Sequence, residues 1–183
     1  MLDAHGVPLL HDFSESFIKT PTPLQHYHWT MPFECFVLFT MEQQEQHSLS
    51  KSNIEDMCKT FVLRHPIITE SAVSKERIKR QYVDAVQTLL PWLNRSRRDM
   101  ELFFYSTCGT WDVYSLSMMY LDNLNQNYAQ RTKDPFYDEC TKMFFEAIHP
   151  DATQRPTWPA FLSSLDSLVK FIPRTLPACI VDK

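Results

Sequence analysis

Glycine is nearly missing from this chain: Gly6 and Gly109 are the only two among 183 residues, against twelve prolines. With no Gly-x-Gly anywhere, the glycine-rich loops that cradle phosphates in P-loop and Rossmann proteins are excluded. Paired cysteines are missing too. The five thiols, Cys35, Cys58, Cys108, Cys140 and Cys179, are scattered without a C-x-x-C, which predicts reduced thiols inside a cell and no zinc site. His26 and His28 form a His-x-His with no Cys or carboxylate nearby to complete a tetrahedral set. No apolar run approaches the roughly 18 residues of a membrane span, and no basic-then-apolar leader opens the chain, so neither a membrane span nor secretion is expected. An excess of positive charge is also absent. The net charge is −4 and the pI about 5.9, which argues against nucleic acid as a partner. Lys75, Arg77, Lys79 and Arg80, and Arg95, Arg97 and Arg98, form local clusters that we interpret as solvated helix faces.

What remains is ample for a packed core. Hydrophobic residues make up 44% and aromatics 13%, in a chain of single-domain length. Residues 1–11 are predicted as a hairpin turning at Ala4-His5-Gly6. From Asp12 to Pro32 the pattern breaks, because Thr20-Pro21-Thr22-Pro23 suits neither a helix nor a central strand. An irregular stretch of about twenty residues in a compact domain is usually functional. Phe33–Phe39 is apolar throughout, and periodicity does not choose between buried helix and strand. A capping box Ser52-x-x-Glu55 is predicted to open a helix reaching about Arg64, with Ile54, Met57, Cys58, Phe61 and Val62 on one face. Further helices are predicted over 74–90, with Ile78, Tyr82, Val83 and Val86 inward, and over about 94–106, 110–125 and 134–148. The last, 157–171, should turn Phe161, Leu162, Leu165 and Leu168 inward. The fold class expected is mainly α, with a short β-hairpin in front.

Four pieces, in order, resemble the C-terminal lobe of eukaryotic-type serine/threonine protein kinases. "LDAHGVPLLHDFS" is similar to the hairpin ending in Asp-Phe-Gly, with Asp12, Phe13 and Ser14 in its three places. "HWTMPFE" resembles the close of the activation segment, with one residue more between Pro32 and Glu34 than the usual Ala-Pro-Glu. "TWDVYSLSMMYLDNL" resembles the central helix, and "DPFYDECTKMFFEAIHPDATQRPTWPAFLSSL" the closing helices. Seventy-seven residues lie between Glu34 and Asp112, several times the usual interval, and that insertion makes the chain most similar to kinases of nucleocytoplasmic large DNA viruses.

The resemblance implies a kinase C-lobe-like helical bundle over 1–171, with an activation-segment-like stretch at 12–34, a helical insertion at 40–109, and a tail at 172–183. It implies that Asp12 is a Mg²⁺ ligand bridging ATP phosphates, that Phe13 orients it, and that Ser14 narrows the backbone freedom glycine gives there. Glu34 and Arg155 would form the buried ion pair tying the activation segment to the last helices, and Asp112 would accept backbone N–H groups of the catalytic loop. That loop and the small lobe would lie before Met1, so no catalytic residue is expected in this chain. Mg²⁺ and ATP would bind only if the missing lobe were supplied, for example by a separate chain. Two functions follow: part of a protein kinase acting on protein hydroxyls, or a catalytically inactive kinase-like interaction protein with a structural or virion partner. Either would place it in host cytoplasm or the virion.

Overall fold

The computed structural model describes residues 28–65, 67–68, 75–127 and 135–171. The expected hairpin, Asp12, Phe13, Ser14 and the tail lie outside the described residues. Among those described, the fold is mainly α, with seven α-helices and no strand. Two isolated bridges, Ser48 to Ser96 and Leu49 to Leu93, are the only β pairings there.

Helix α1 (Phe33–Gln43) starts after Pro32, whose extended backbone serves as its N-cap. Seven of its residues, from Phe33 through Leu38 plus Met41, are buried. Burial around nearly the whole helix leaves no polar face and hence no period, which is why the sequence did not distinguish it from a strand. It continues to Gln43, past residue 40, where the insertion was expected to open.

Helix α2 (Lys51–Arg64) buries the predicted stripe Ile54, Met57, Cys58, Phe61 and Val62. Its cap differs from the expectation. Ser50 is the N-cap, accepting the Asn53 N–H, while Asn53 Oδ1 accepts the Ser50 N–H. Both members of the box lie two residues earlier than Ser52 and Glu55, and Ser52 is exposed.

Helix α3 (Lys75–Leu89) buries Gln81, Ala85 and Leu89, with Ile78, Tyr82 and Val86 half-buried against the same core. Val83, expected inside, is exposed, since it lies off that stripe. A 3₁₀ turn, Leu90–Trp92, follows, and Asn94 takes a left-handed backbone (φ 58°) that this residue type tolerates. That turn lets the Asn94 N–H reach the Leu49 carbonyl at 2.9 Å. Helix α4 (Arg97–Ser106) is capped by Ser96, whose Oγ accepts the Asp99 N–H.

Helices α5 (Trp111–Asn127), α6 (Pro135–Ala147) and α7 (Trp158–Phe171) pack in sequence, α5 on α6 and α6 on α7. In α7, Phe161 is fully buried and Leu165 and Leu168 are half-buried, but Leu162 is exposed, contrary to expectation.

The buried side chains form two clusters. One joins α1 to α4 around Phe33, Phe61 and Phe104; the other joins α5 to α7 around Tyr114, Phe144 and Phe161. Each buried aromatic of this kind contributes about 1.5–3 kcal/mol. The first turn of α5 belongs to both, because Trp111 packs in the first cluster and Val113 and Tyr114 in the second. Among the described residues, no helix is long and apolar enough to cross a membrane.

Candidate functional site

Where the two clusters meet, Glu34 and Arg155 face each other. Glu34 lies in the first turn of α1, brought inside because that helix is buried on nearly every side. Arg155 follows a 3₁₀ turn, Ala152–Gln154, that Asp151 caps by accepting the Thr153 N–H and hydroxyl at 2.8 and 2.7 Å. Pro156 comes next and disfavours the helical region for Arg155, whose backbone is extended (φ −76°, ψ 146°). The turn therefore stops there and the guanidinium reaches into the junction.

Every donor of Arg155 is used. Nη1 and Nη2 donate to Glu34 Oε1 and Oε2 at 3.0 and 2.6 Å, a bidentate fork between side chains 0% and 1% exposed. Nη2 also donates to the Pro150 carbonyl at 3.1 Å, Nη1 to Thr110 Oγ1 at 3.4 Å, and Nε to the His149 carbonyl at 2.6 Å. The guanidinium carbon lies 4.8 Å from the ring centroid of Tyr114, a cation–π contact in a desolvated setting. A lysine, with three donors and no plane, could not replace it.

The surroundings are held neutral. Burial pushes the Cys35 thiol well above its ordinary range, the neighbouring Glu34 carboxylate adds to this, and Arg155 opposes it. Burial likewise raises the Tyr114 phenol, against the pull of Arg155. The Tyr114 hydroxyl is 3.3 Å from His65 Nε2, and burial pushes that imidazole down to about 3. His149 Nδ1 lies 3.0 Å from the Asp151 N, and its Nε2 lies 3.4 Å from Asp84 Oδ2 on α3. The junction thus links α1, α3, α5 and the turn before α7.

The structure brings Glu34 and Arg155 together but leaves Asp112 apart from them. Asp112 is exposed in the first turn of α5 and is not among the partners of Arg155. Asp12 and Phe13 lie outside the described residues. Tyr114, His65 and Thr110 were missed in the sequence; the usable signal was Tyr114, two positions after Asp112 in the central-helix motif. Arg97 also departs from expectation. It is not on a solvated face but binds Glu42 of α1 and Glu101 at 2.6 Å.

Chemically, the junction is a cross-link. Among the described residues, no group of three His, Cys, Asp or Glu is placed to hold a metal ion, and Cys35, the thiol nearest the pair, is held protonated. Comparison with known protein families, curated proteins and solved structures gave no match to this chain. Among the described residues, the fold is mainly α-helical and the two buried clusters are joined by a buried, bidentate ion pair.

Proposed function

We propose that this chain is the C-lobe part of a eukaryotic-type serine/threonine protein kinase, of the kind found in nucleocytoplasmic large DNA viruses. The observation that carries the proposal is the Glu34–Arg155 fork. It joins a glutamate two residues after Pro32 to an arginine just before Pro156, across 121 positions. Phosphoryl transfer depends on positioning and on neutralising charge, so the segment that presents the protein substrate must be anchored to a rigid base. A saturated arginine in a dry junction supplies such an anchor. Breaking a buried pair of this type strands a charge, so it enforces one arrangement more than it adds net stability.

Asp12, the residue that would meet Mg²⁺ and ATP, and Phe13 beside it would complete the metal side of the site. The general base would come from the catalytic loop and the phosphate-binding lysine from the small lobe, in the same polypeptide or another. What the described chain supplies is the scaffold, working in host cytoplasm or the virion on protein hydroxyls.

The test is to read the transcript upstream of the Met1 codon, express the joined frame, and measure transfer of the γ-phosphate to a serine/threonine protein substrate. Transfer that Asp12→Ala abolishes is the expected result. Transfer unaffected by Asp12→Ala, or no transfer with the missing lobe supplied either in the same frame or as a second chain, would overturn the proposal. The second function, a non-catalytic interaction protein, draws support from α2–α4, three insertion helices that pack into one core with α1. It predicts that Mg²⁺ with ATP leaves the melting temperature of the chain unchanged.

A further inference from the structure

A second contact joins the two cores, and unlike the Glu34–Arg155 fork it has an imidazole in it. On α3, Arg77 and Asp84 stand close to two helical turns apart, on one face. Both reach toward α6 and the turn that follows it. The Arg77 guanidinium carbon lies 4.5 Å from the ring centroid of buried Phe145, and Asp84 Oδ2 lies 3.4 Å from His149 Nε2. Helix α3 is therefore fastened to the second core at two points, one aromatic and one ionisable. The ionisable point is mostly covered, with the Asp84 and His149 side chains 21% and 27% exposed.

We propose that this point is a proton-operated clasp: acid that charges His149 tightens α3 against the turn before α7, and alkali loosens it. At 3.4 Å the contact is long for a hydrogen bond, so its strength rests on charge, and an imidazole is charged only when protonated. A guanidinium keeps its charge at every physiological pH, so Arg155 offers no such control. The charged groups around the imidazole allow the change. On α3, Arg80 Nε is 3.9 Å from the same Asp84 oxygen, but its side chain is 83% exposed, and a proton on His149 gives that oxygen a nearer cation. On the turn, His149 Nδ1 lies 3.0 Å from the Asp151 N and 3.3 Å from the Asp151 carbonyl oxygen. Protonation therefore finds an acceptor for each ring nitrogen. The Asp151 carboxylate is engaged by Thr153, and on α6 the exposed Glu146 offers its carbonyl to the His149 N–H at 3.4 Å. Arg155 donates Nε to the His149 carbonyl and is itself paired with Glu34, so clasp and fork share one residue.

Urea unfolding of the full 183-residue chain at about pH 8.5 and about pH 5.5 tests this, on the wild type, Asp84→Asn, His149→Gln and the double variant. All four carry His65, so its acid penalty cancels from the cycle. The coupling between positions 84 and 149 should lower the unfolding equilibrium constant about threefold to fivefold at the acid pH, and by less than about twofold at the alkaline one. Should His149→Gln fail to fold, Asp84→Asn alone decides, since its loss of stability should be larger in acid than in alkali. A coupling, or an Asp84→Asn loss, that is equal at the two pH values or larger at the alkaline one would overturn the proposal.

Discussion

Replacing Arg155 by methionine keeps much of the stem and removes the fork, which isolates the worth of the junction. The Glu34 carboxylate is then left buried without its cation, at a cost of about 3–5 kcal/mol. The His149 and Pro150 carbonyls also lose donors, adding about 1–3 kcal/mol each if water does not reach them. The stranded charge is therefore the largest single loss, set against a total stability of about 5–15 kcal/mol for a domain. The charge loss alone should lower the melting temperature by about 6–20 °C, at about 2–4 °C per kcal/mol for a chain of this length. Glu34→Leu should be nearly as damaging, since it leaves the guanidinium with neutral acceptors only. Glu34→Leu with Arg155→Met removes both charges and leaves only the carbonyls unpaired, so the double variant should be far more stable than the two single losses added together. Urea unfolding of the four proteins, followed by far-UV circular dichroism, completes the cycle. A double-variant loss equal to the sum of the singles within about 0.5 kcal/mol would refute the pair as one energetic unit.

Two other expectations concern the first core. Burial lowers the folded His65 pKa to about 3 from an ordinary 6.5, so between those values the unfolded chain binds the proton more readily. The stability this contributes is complete above the unfolded value and is lost as pH falls through the window, at most about 1.4 kcal/mol per pH unit. Urea midpoints measured against pH for the wild type and His65→Phe should diverge as pH falls below 6.5, and parallel curves would refute this. At the start of α2, Ser50→Ala should cost about 1 kcal/mol by leaving the Asn53 N–H unpaired, whereas Ser52→Ala should change almost nothing; thermal melts of the two variants decide the register of the cap.

The helical character was legible wherever one face of an element is wet. In α2 the wet face made the stripe Ile54, Met57, Cys58, Phe61 and Val62 readable before any coordinates. In α1 the same test failed, because a helix buried on nearly all sides has no period to read. The cap of α2 was misplaced because Ser50 and Ser52 both suit the position, and the actual partner, Asn53, is not the Glu or Gln of the usual box. Val83 and Leu162 were assigned inward because they recur at helical spacing with their apolar neighbours, yet each lies at the edge of the stripe its helix buries and is exposed. At the junction, Glu34 and Arg155 were named from a motif resemblance; spacing could not pair two residues 121 positions apart. His65 and the two carbonyls that saturate Arg155 carry no sequence signature, since their roles arise only once two distant cores are brought into contact. Arg97 was read as solvated because charge runs usually are, but two acids from α1 and α4 converge on it.

The first turn of α5 has a consequence for how the molecule can open. Trp111 is rooted in one core and Tyr114 in the other, a single helical turn apart. Neither core can come apart while that turn stays wound without dragging one of these rings into water. The backbone amides of α2 and of α6 should therefore share one opening event, and hydrogen exchange would see a single cooperative unit where the packing shows two.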